Sequence, residues 1–176
     1  MVGKGANPRA TGDRRPRARG RRAPLIRLIV VGRARGPLAA AAADYEARLR
    51  RALDFDVVEV RDEPLHQGTA GEVMERERRR LLPHLDGRRV VCLDRSGRPV
   101  DSEGLAGLVG RWETEPPQRT AVVIGGAYGL APDLIREATA VLSLGPLTLP
   151  HQLARVVAAE QLYRAKTILR NEPYHR

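Results

Sequence analysis

Three segments of this chain hold residues whose types and spacing could do chemistry. In the first, Val122-Val123-Ile124 runs straight into a glycine turn, Gly125-Gly126-Ala127-Tyr128-Gly129-Leu130. Glycines at a strand end let a ligand approach bare backbone. In the second, Leu144-Gly145-Pro146-Leu147-Thr148-Leu149-Pro150-His151, prolines and apolar side chains make a stiff loop that opens onto a helix. Burying Leu147 and Leu149 would leave main-chain N–H and C=O groups free to read the edge of a nucleoside-like ligand. The third is the tail, Asn171-Glu172-Pro173-Tyr174-His175-Arg176, whose last three residues can exchange or hold protons.

Other chemistries find less support. The glycine spacing does not match the dinucleotide fingerprint, and no acid-ended strand follows at the required distance. Cys92 is the single cysteine and lies in the apolar run Val90-Val91-Cys92-Leu93. It reads as a small core residue, and one cysteine excludes internal disulfides. The four histidines are scattered and give no metal-ligand spacing.

These segments need a scaffold. Leu25–Gly32 reads as a buried strand. Pro37 opens a helix whose Leu38, Ala42, Tyr45, Leu49 and Leu53 share a face. Strands follow at 55–60, 89–93, 120–124 and 141–144. Helices are expected over 72–85, with its charged run 75–80 solvated, then after Asp101 or Ser102, from Pro132, and over 151–169. The helix after Asp101 has Leu105, Leu108, Val109 and Trp112 as its stripe. For the last helix the inner face is expected at Leu153, Val156, Val157, Glu160 and Tyr163. Alternating strands and helices predict an α/β fold with a mostly parallel sheet and helices on both faces. Ligands of such sheets bind outside the carboxyl ends of the strands. The loops after Leu93, Ile124 and Leu144 lie at such ends.

The 176 residues are enough for one domain with a real core. Only 3% are aromatic, so Leu, Val, Ile and Ala must fill it. Residues 1–24 carry Lys4, Arg9, Arg14, Arg15, Arg17, Arg19, Arg21 and Arg22 against Asp13, which is +7 of the chain's formal +10. Without an apolar period this arm is expected to be disordered, leaving 25–176 as a single domain. Its charge suits RNA phosphates. No apolar run spans a bilayer, and a cytoplasmic address fits.

From Leu25 to Arg176 the chain closely resembles the ribosomal RNA large subunit methyltransferase H family, small members of the SPOUT class of S-adenosylmethionine-dependent methyltransferases. The resemblance is carried by the opening strand ending at Gly32, by Ile124-Gly125-Gly126-Ala127-Tyr128-Gly129-Leu130, and by Leu147-Thr148-Leu149-Pro150-His151. Glu160-Gln161-Leu162-Tyr163-Arg164-Ala165 and Pro173-Tyr174-His175-Arg176 complete it. It implies a C-terminal trefoil knot, an exception to the usual absence of knots. It also implies a homodimer, with S-adenosyl-L-methionine held by Leu93, Gly125 or Gly126, and the run Leu144, Gly145, Pro146, Leu147, Thr148, Leu149. The implied reaction is methylation of N3 of a pseudouridine in helix 69 of 23S ribosomal RNA, on the assembled ribosome. The chain departs from the family in its basic extension. It also places Arg33 and Arg35 where a Lys is frequent after the first strand.

That chemistry needs few groups. The target nitrogen must lose a proton, so a base or a route to solvent is required, and positioning supplies much of the rest. His175 is the candidate for the proton, Tyr174 for stacking on or bonding the base, and Arg176 for a phosphate. Arg33, Arg35 and His151 are candidate RNA contacts. The competing class is a ribosome-binding module without methyl transfer, which cofactor affinity separates.

Overall fold

The computed structural model describes residues 25–175, apart from the side chain of His175. The expected disordered arm, residues 1–24, and Arg176 lie outside the described residues.

Five strands form one parallel sheet: β1 (Ile26–Val31), β2 (Phe55–Val60), β3 (Arg89–Pro99), β4 (Thr120–Ile124) and β5 (Ala140–Ser143). Their order is β2-β1-β4-β3-β5. The helices are α1 (Gly36–Ala52), α2 (Ala70–Leu81), α3 (Ser102–Thr114), α4 (Pro132–Glu137) and α5 (His151–Leu169). Alternation along the strands sends side chains into two cores. Ile26, Leu28, Val30, Val122 and Ile124 pack with Leu49, Val109, Trp112 and Leu162 of α1, α3 and α5. Ile29, Val31, Cys92 and Val123 pack with Leu81 and Leu134 of α2 and α4. Central β4 is buried along its whole length, as a strand covered on both faces must be.

Three elements differ from expectation. First, α2 starts earlier than expected because Thr69 and Glu72 form a capping box. It stops at Leu81, where a 3-10 turn containing Pro83 takes over. Its charged run is not all solvated, for Glu77 is 3% exposed.

Second, β3 does not end at Leu93. After a break in register between Leu93 and Arg98 it continues beside β5, pairing Arg98 with Leu142 and Pro99 with Ser143. The chains cross so closely that a Cβ on Gly97 would lie 2.6 Å from the carbonyl carbon of Leu142.

Third, α5 is rotated from the expected face. Its buried residues are Ala154, Arg155, Ala158, Ala159, Leu162, Ala165 and Thr167. Small side chains let α5 lie close against the sheet, α1 and α3. The larger Leu153, Val156 and Val157 are turned outward and stay partly exposed. Arg155 reaches Glu46 of α1 at 2.7 Å and Glu59 of β2 at 2.5 Å, so an ion triad, buried at Arg155 and Glu46 and exposed at Glu59, ties three elements together.

No helix among the described residues is long and apolar enough to cross a membrane.

Candidate active site

The strand order explains why three distant loops meet. β4, β3 and β5 are neighbours and parallel, so Ile124, Leu93 and Leu142 stand side by side, at the ends of β4 and β5 and at the register break of β3. The loops leaving β4 and β5, with Leu93, Asp94 and Arg95 at the break within β3, line a cleft of about 620 Å³. From the expected set, Leu93, Gly125, Gly126, Leu144, Gly145, Leu147, Thr148 and Leu149 line it, and Pro146 does not. His151, expected at the RNA, lines it too.

The glycine turn has a local cause. A Cβ on Gly125 would lie 2.5 Å from the carbonyl carbon of Gly129, so residue 125 is bare because the turn folds onto itself. Gly129 has φ +85°, a left-handed conformation that glycine adopts readily, and its N–H donates to the Gly126 carbonyl at 3.1 Å. At Gly126 a Cβ would meet the Glu77 carboxylate at 2.7 Å, so this glycine backs onto α2. Access for a ligand is therefore not the only reason these positions are glycine.

The loop after β5 is pinned at its start. The Ser143 hydroxyl donates to the Gly145 carbonyl at 2.8 Å and accepts from the Gly145 N–H at 3.2 Å. Leu147 is not buried as expected. It is 78% exposed, at the lip of the cleft, while Leu149 is half-buried. His151 is the first residue of α5. Its imidazole lies over Gly32, whose Cβ would sit 2.9 Å from Nε2. Next to it the Arg35 N–H donates to Gln152 Oε1 at 3.0 Å. Arg33 and Arg35 therefore stand exposed beside the cleft, with Arg33 3.4 Å from Glu59.

The tail folds elsewhere. Tyr174 donates its hydroxyl to Glu160 Oε1 at 3.1 Å, meets the Tyr163 ring edge-on at 4.9 Å, and lies under the Arg164 guanidinium. Burial, with Tyr45 and Glu160 nearby, pushes its phenol well above the ordinary range, so it keeps its proton. Glu160 stands about 14 Å along α5 from His151, at 1.5 Å per residue. A single chain thus does not bring Tyr174 to its own cleft. Glu160 pairs with Arg164 at 2.7 Å and leaves Arg155 to Glu46 and Glu59.

Cys92 offers no nucleophile here, because burial pushes its thiol up to about 12. No group of residues suited to a metal ion occurs among the described residues.

A family model described as "predicted SPOUT methyltransferase" matches residues 25–175. A protein of Syntrophotalea carbinolica named ribosomal RNA large subunit methyltransferase H is 45% identical over 152 residues, covering 85% of this chain and 97% of its own. A Gemmatimonas aurantiaca protein of the same name is 46% identical over 156 residues, covering 86% of this chain and 99% of its own. The chain belongs to this family of SPOUT methyltransferases. A probable methyltransferase of Bordetella pertussis shares the fold with a TM-score of 0.52 at 18% identity, over 82% of this chain and 97% of that one.

In this SPOUT chain several cleft residues were not marked by the sequence. Asp94, Arg95, Tyr128 and Gly129 line the cleft as well. Asp94 and Arg95 follow directly on a strand end already marked as a ligand-binding position, which was the available signal. Glu77 was hidden within the charged run, although Val73, Glu77 and Leu81 recur every four residues and form the buried stripe of α2.

Proposed function

We propose that this chain is an S-adenosylmethionine-dependent methyltransferase of 23S ribosomal RNA. It methylates N3 of a pseudouridine in helix 69 of the assembled ribosome, in the cytoplasm and as a homodimer. The observation that carries this reading is the cleft built by the break within β3 and the loops after β4 and β5 in a chain of this family. The names of its relatives, which specify large-subunit ribosomal RNA, support the substrate.

The residues present fit the cofactor. The cleft is within the 300–1,000 Å³ range usual for small-molecule sites. Main chain at Gly125, Gly126 and Gly145 forms much of its wall, Leu93, Leu144 and Leu149 supply apolar flanks, and Asp94 and Thr148 supply polar ends. When bound, the cofactor supplies a methyl carbon made electrophilic by its sulfonium.

Everything else falls to the chain. The loop 144–149 would grip the nucleoside and exclude water from that side. The turn 125–129 would fix the opposite wall, so that the reacting atoms start close and aligned. Arg33 and Arg35, beside the cleft mouth, would hold phosphates, and His151 would meet the RNA at the rim. His175 would take or relay the proton of the target nitrogen, Tyr174 would orient the base, and Arg176 would hold a phosphate. Because Tyr174 docks far down α5 from its own cleft, the tail serves the cleft of a second copy. The outward Leu153, Val156 and Val157 of α5 provide the apolar strip for that contact. The C-terminal segment would be threaded as the family's knot.

Purified protein incubated with methyl-labelled cofactor and ribosomes lacking the modification tests this reading. Label is expected in the helix 69 fragment. A protein that binds ribosomes but shows no calorimetric affinity for the cofactor would instead be a ribosome-binding module.

A further inference from the structure

Behind the glycine turn lies a carboxylate that the reaction above leaves unused. Glu77 of α2 is 3% exposed. Its Oε1 accepts the Glu63 N–H at 3.0 Å. Its Oε2 is buried with no hydrogen-bond partner among the described residues. Both oxygens crowd Gly126: a Cβ there would lie 2.7 Å from Oε2 and 2.8 Å from Oε1. Gly126 in turn lines the cleft.

The surrounding charges do not account for this acid. Glu63 beside it takes both nearby guanidiniums, Arg76 at 3.0 Å and Arg80 closer still. Among the described residues no Arg or Lys lies within ion-pair distance of Glu77, and the nearby Arg80 guanidinium, engaged by Glu63, offsets its charge only in part. Asp94, whose Oδ1 accepts from the Ser96 N–H and hydroxyl at 2.9 and 2.6 Å, is a second acid at the turn and lies in the cleft lining rather than behind it. A buried carboxylate with one oxygen unsatisfied and no ion pair is costly, and a neutral side chain of the same shape would fill the space at less cost. The feature makes sense if a positive charge arrives from outside the chain.

We propose that Glu77 is a specificity residue of the cleft: its unpaired carboxylate, behind the bare backbone of Gly126, makes the site hold the positively charged sulfonium donor more tightly than the neutral thioether product. This rests on reading the cleft as the cofactor site. Donor and product share their nucleoside and amino-acid parts, so main-chain contacts grip both alike. They differ by one methyl group and one charge, and a fixed charge in a poorly solvated wall distinguishes them. Burial, with Asp62 and Glu63 adding to it, pushes the Glu77 carboxyl above its ordinary range, and an approaching cation draws it back toward the charged form. The consequence is easier exchange of spent product for fresh donor.

The test is calorimetric affinity for S-adenosylmethionine and for S-adenosylhomocysteine, on wild type and on Glu77→Gln. Wild type should prefer the sulfonium. Glu77→Gln should melt at the same temperature or higher, bind the sulfonium about tenfold more weakly, and bind the thioether as before. Equal loss for both ligands would make Glu77 structural only, and an unchanged ratio would overturn the proposal. If Glu77→Gln fails to fold, wild type alone still decides: preference for the thioether refutes the idea. Wild type that binds neither ligand refutes the cofactor reading itself.

Discussion

A single methyl group added at Gly125 probes how the cleft wall is built. The new Cβ would lie 2.5 Å from the Gly129 carbonyl carbon, 2.6 Å from its oxygen and 2.8 Å from the Leu130 nitrogen. All three are main-chain atoms, so no side chain can swing aside. The turn must open by about 1 Å, and the bond from the Gly129 N–H to the Gly126 carbonyl is the first to go. An overpacked methyl costs roughly 1–3 kcal/mol. The lost backbone bond adds about 0.5–1.5 kcal/mol. Gly125→Ala should therefore destabilise the fold by roughly 2–4 kcal/mol. It should also weaken S-adenosylmethionine binding at least tenfold, because the wall moves. Gly107 on α3 is the control. A Cβ there meets nothing within 4 Å, so Gly107→Ala should stabilise by about 1 kcal/mol and leave binding alone. Urea denaturation and calorimetry on both variants give the answer. A Gly125→Ala protein as stable as wild type, or destabilised with unchanged affinity, would refute the reasoning.

Arg155→Ala strips the cation from between Glu46 and Glu59 and should cost about 3–5 kcal/mol in urea melts; a loss below about 1 kcal/mol would show the triad to be idle. The backbone N–H and hydroxyl of Thr69 hold the Glu72 carboxyl below its ordinary range. The stability this contributes is complete above that ordinary range and lost as pH falls through the lowered value. Glu72→Gln should thus be destabilising at neutral pH and neutral in strong acid, and a pH-independent difference between the melts would contradict this. His175→Ala should keep cofactor affinity while lowering single-turnover methylation by about 10²–10⁴, and full turnover would remove the tail from the chemistry.

Much of the fold was legible because parallel strands buried on both faces leave unbroken apolar runs. β2, β4 and α5 have the expected bounds. The orientation of α5 was not legible. Leu and Val outweigh Ala in any hydrophobic ranking, yet the close approach of α5 to its neighbours selects the alanines for the inside. Nor was the run of β3 past Leu93, since Arg95, Ser96 and Gly97 offer no apolar run to mark a strand when the crossing at Leu142 is unseen. The cleft loops after β4 and β5 were legible from their place after strands, whereas the third expected loop, after Leu93, lies within β3 at its register break. The partners of Gly125 and Gly126 were not, because a bare position looks the same whether a ligand, a backbone or a carboxylate fills the space. Leu147 reads as core by type and is exposed because the loop turns it outward at the lip.

Mass mapping of 23S ribosomal RNA from cells lacking this protein tests the central claim most directly. The account predicts that the helix 69 pseudouridine loses its N3 methyl group, that wild-type protein restores it, and that Gly125→Ala restores it poorly. An unchanged helix 69 fragment in the deleted cells, or a lost methyl group elsewhere in the RNA, would contradict it.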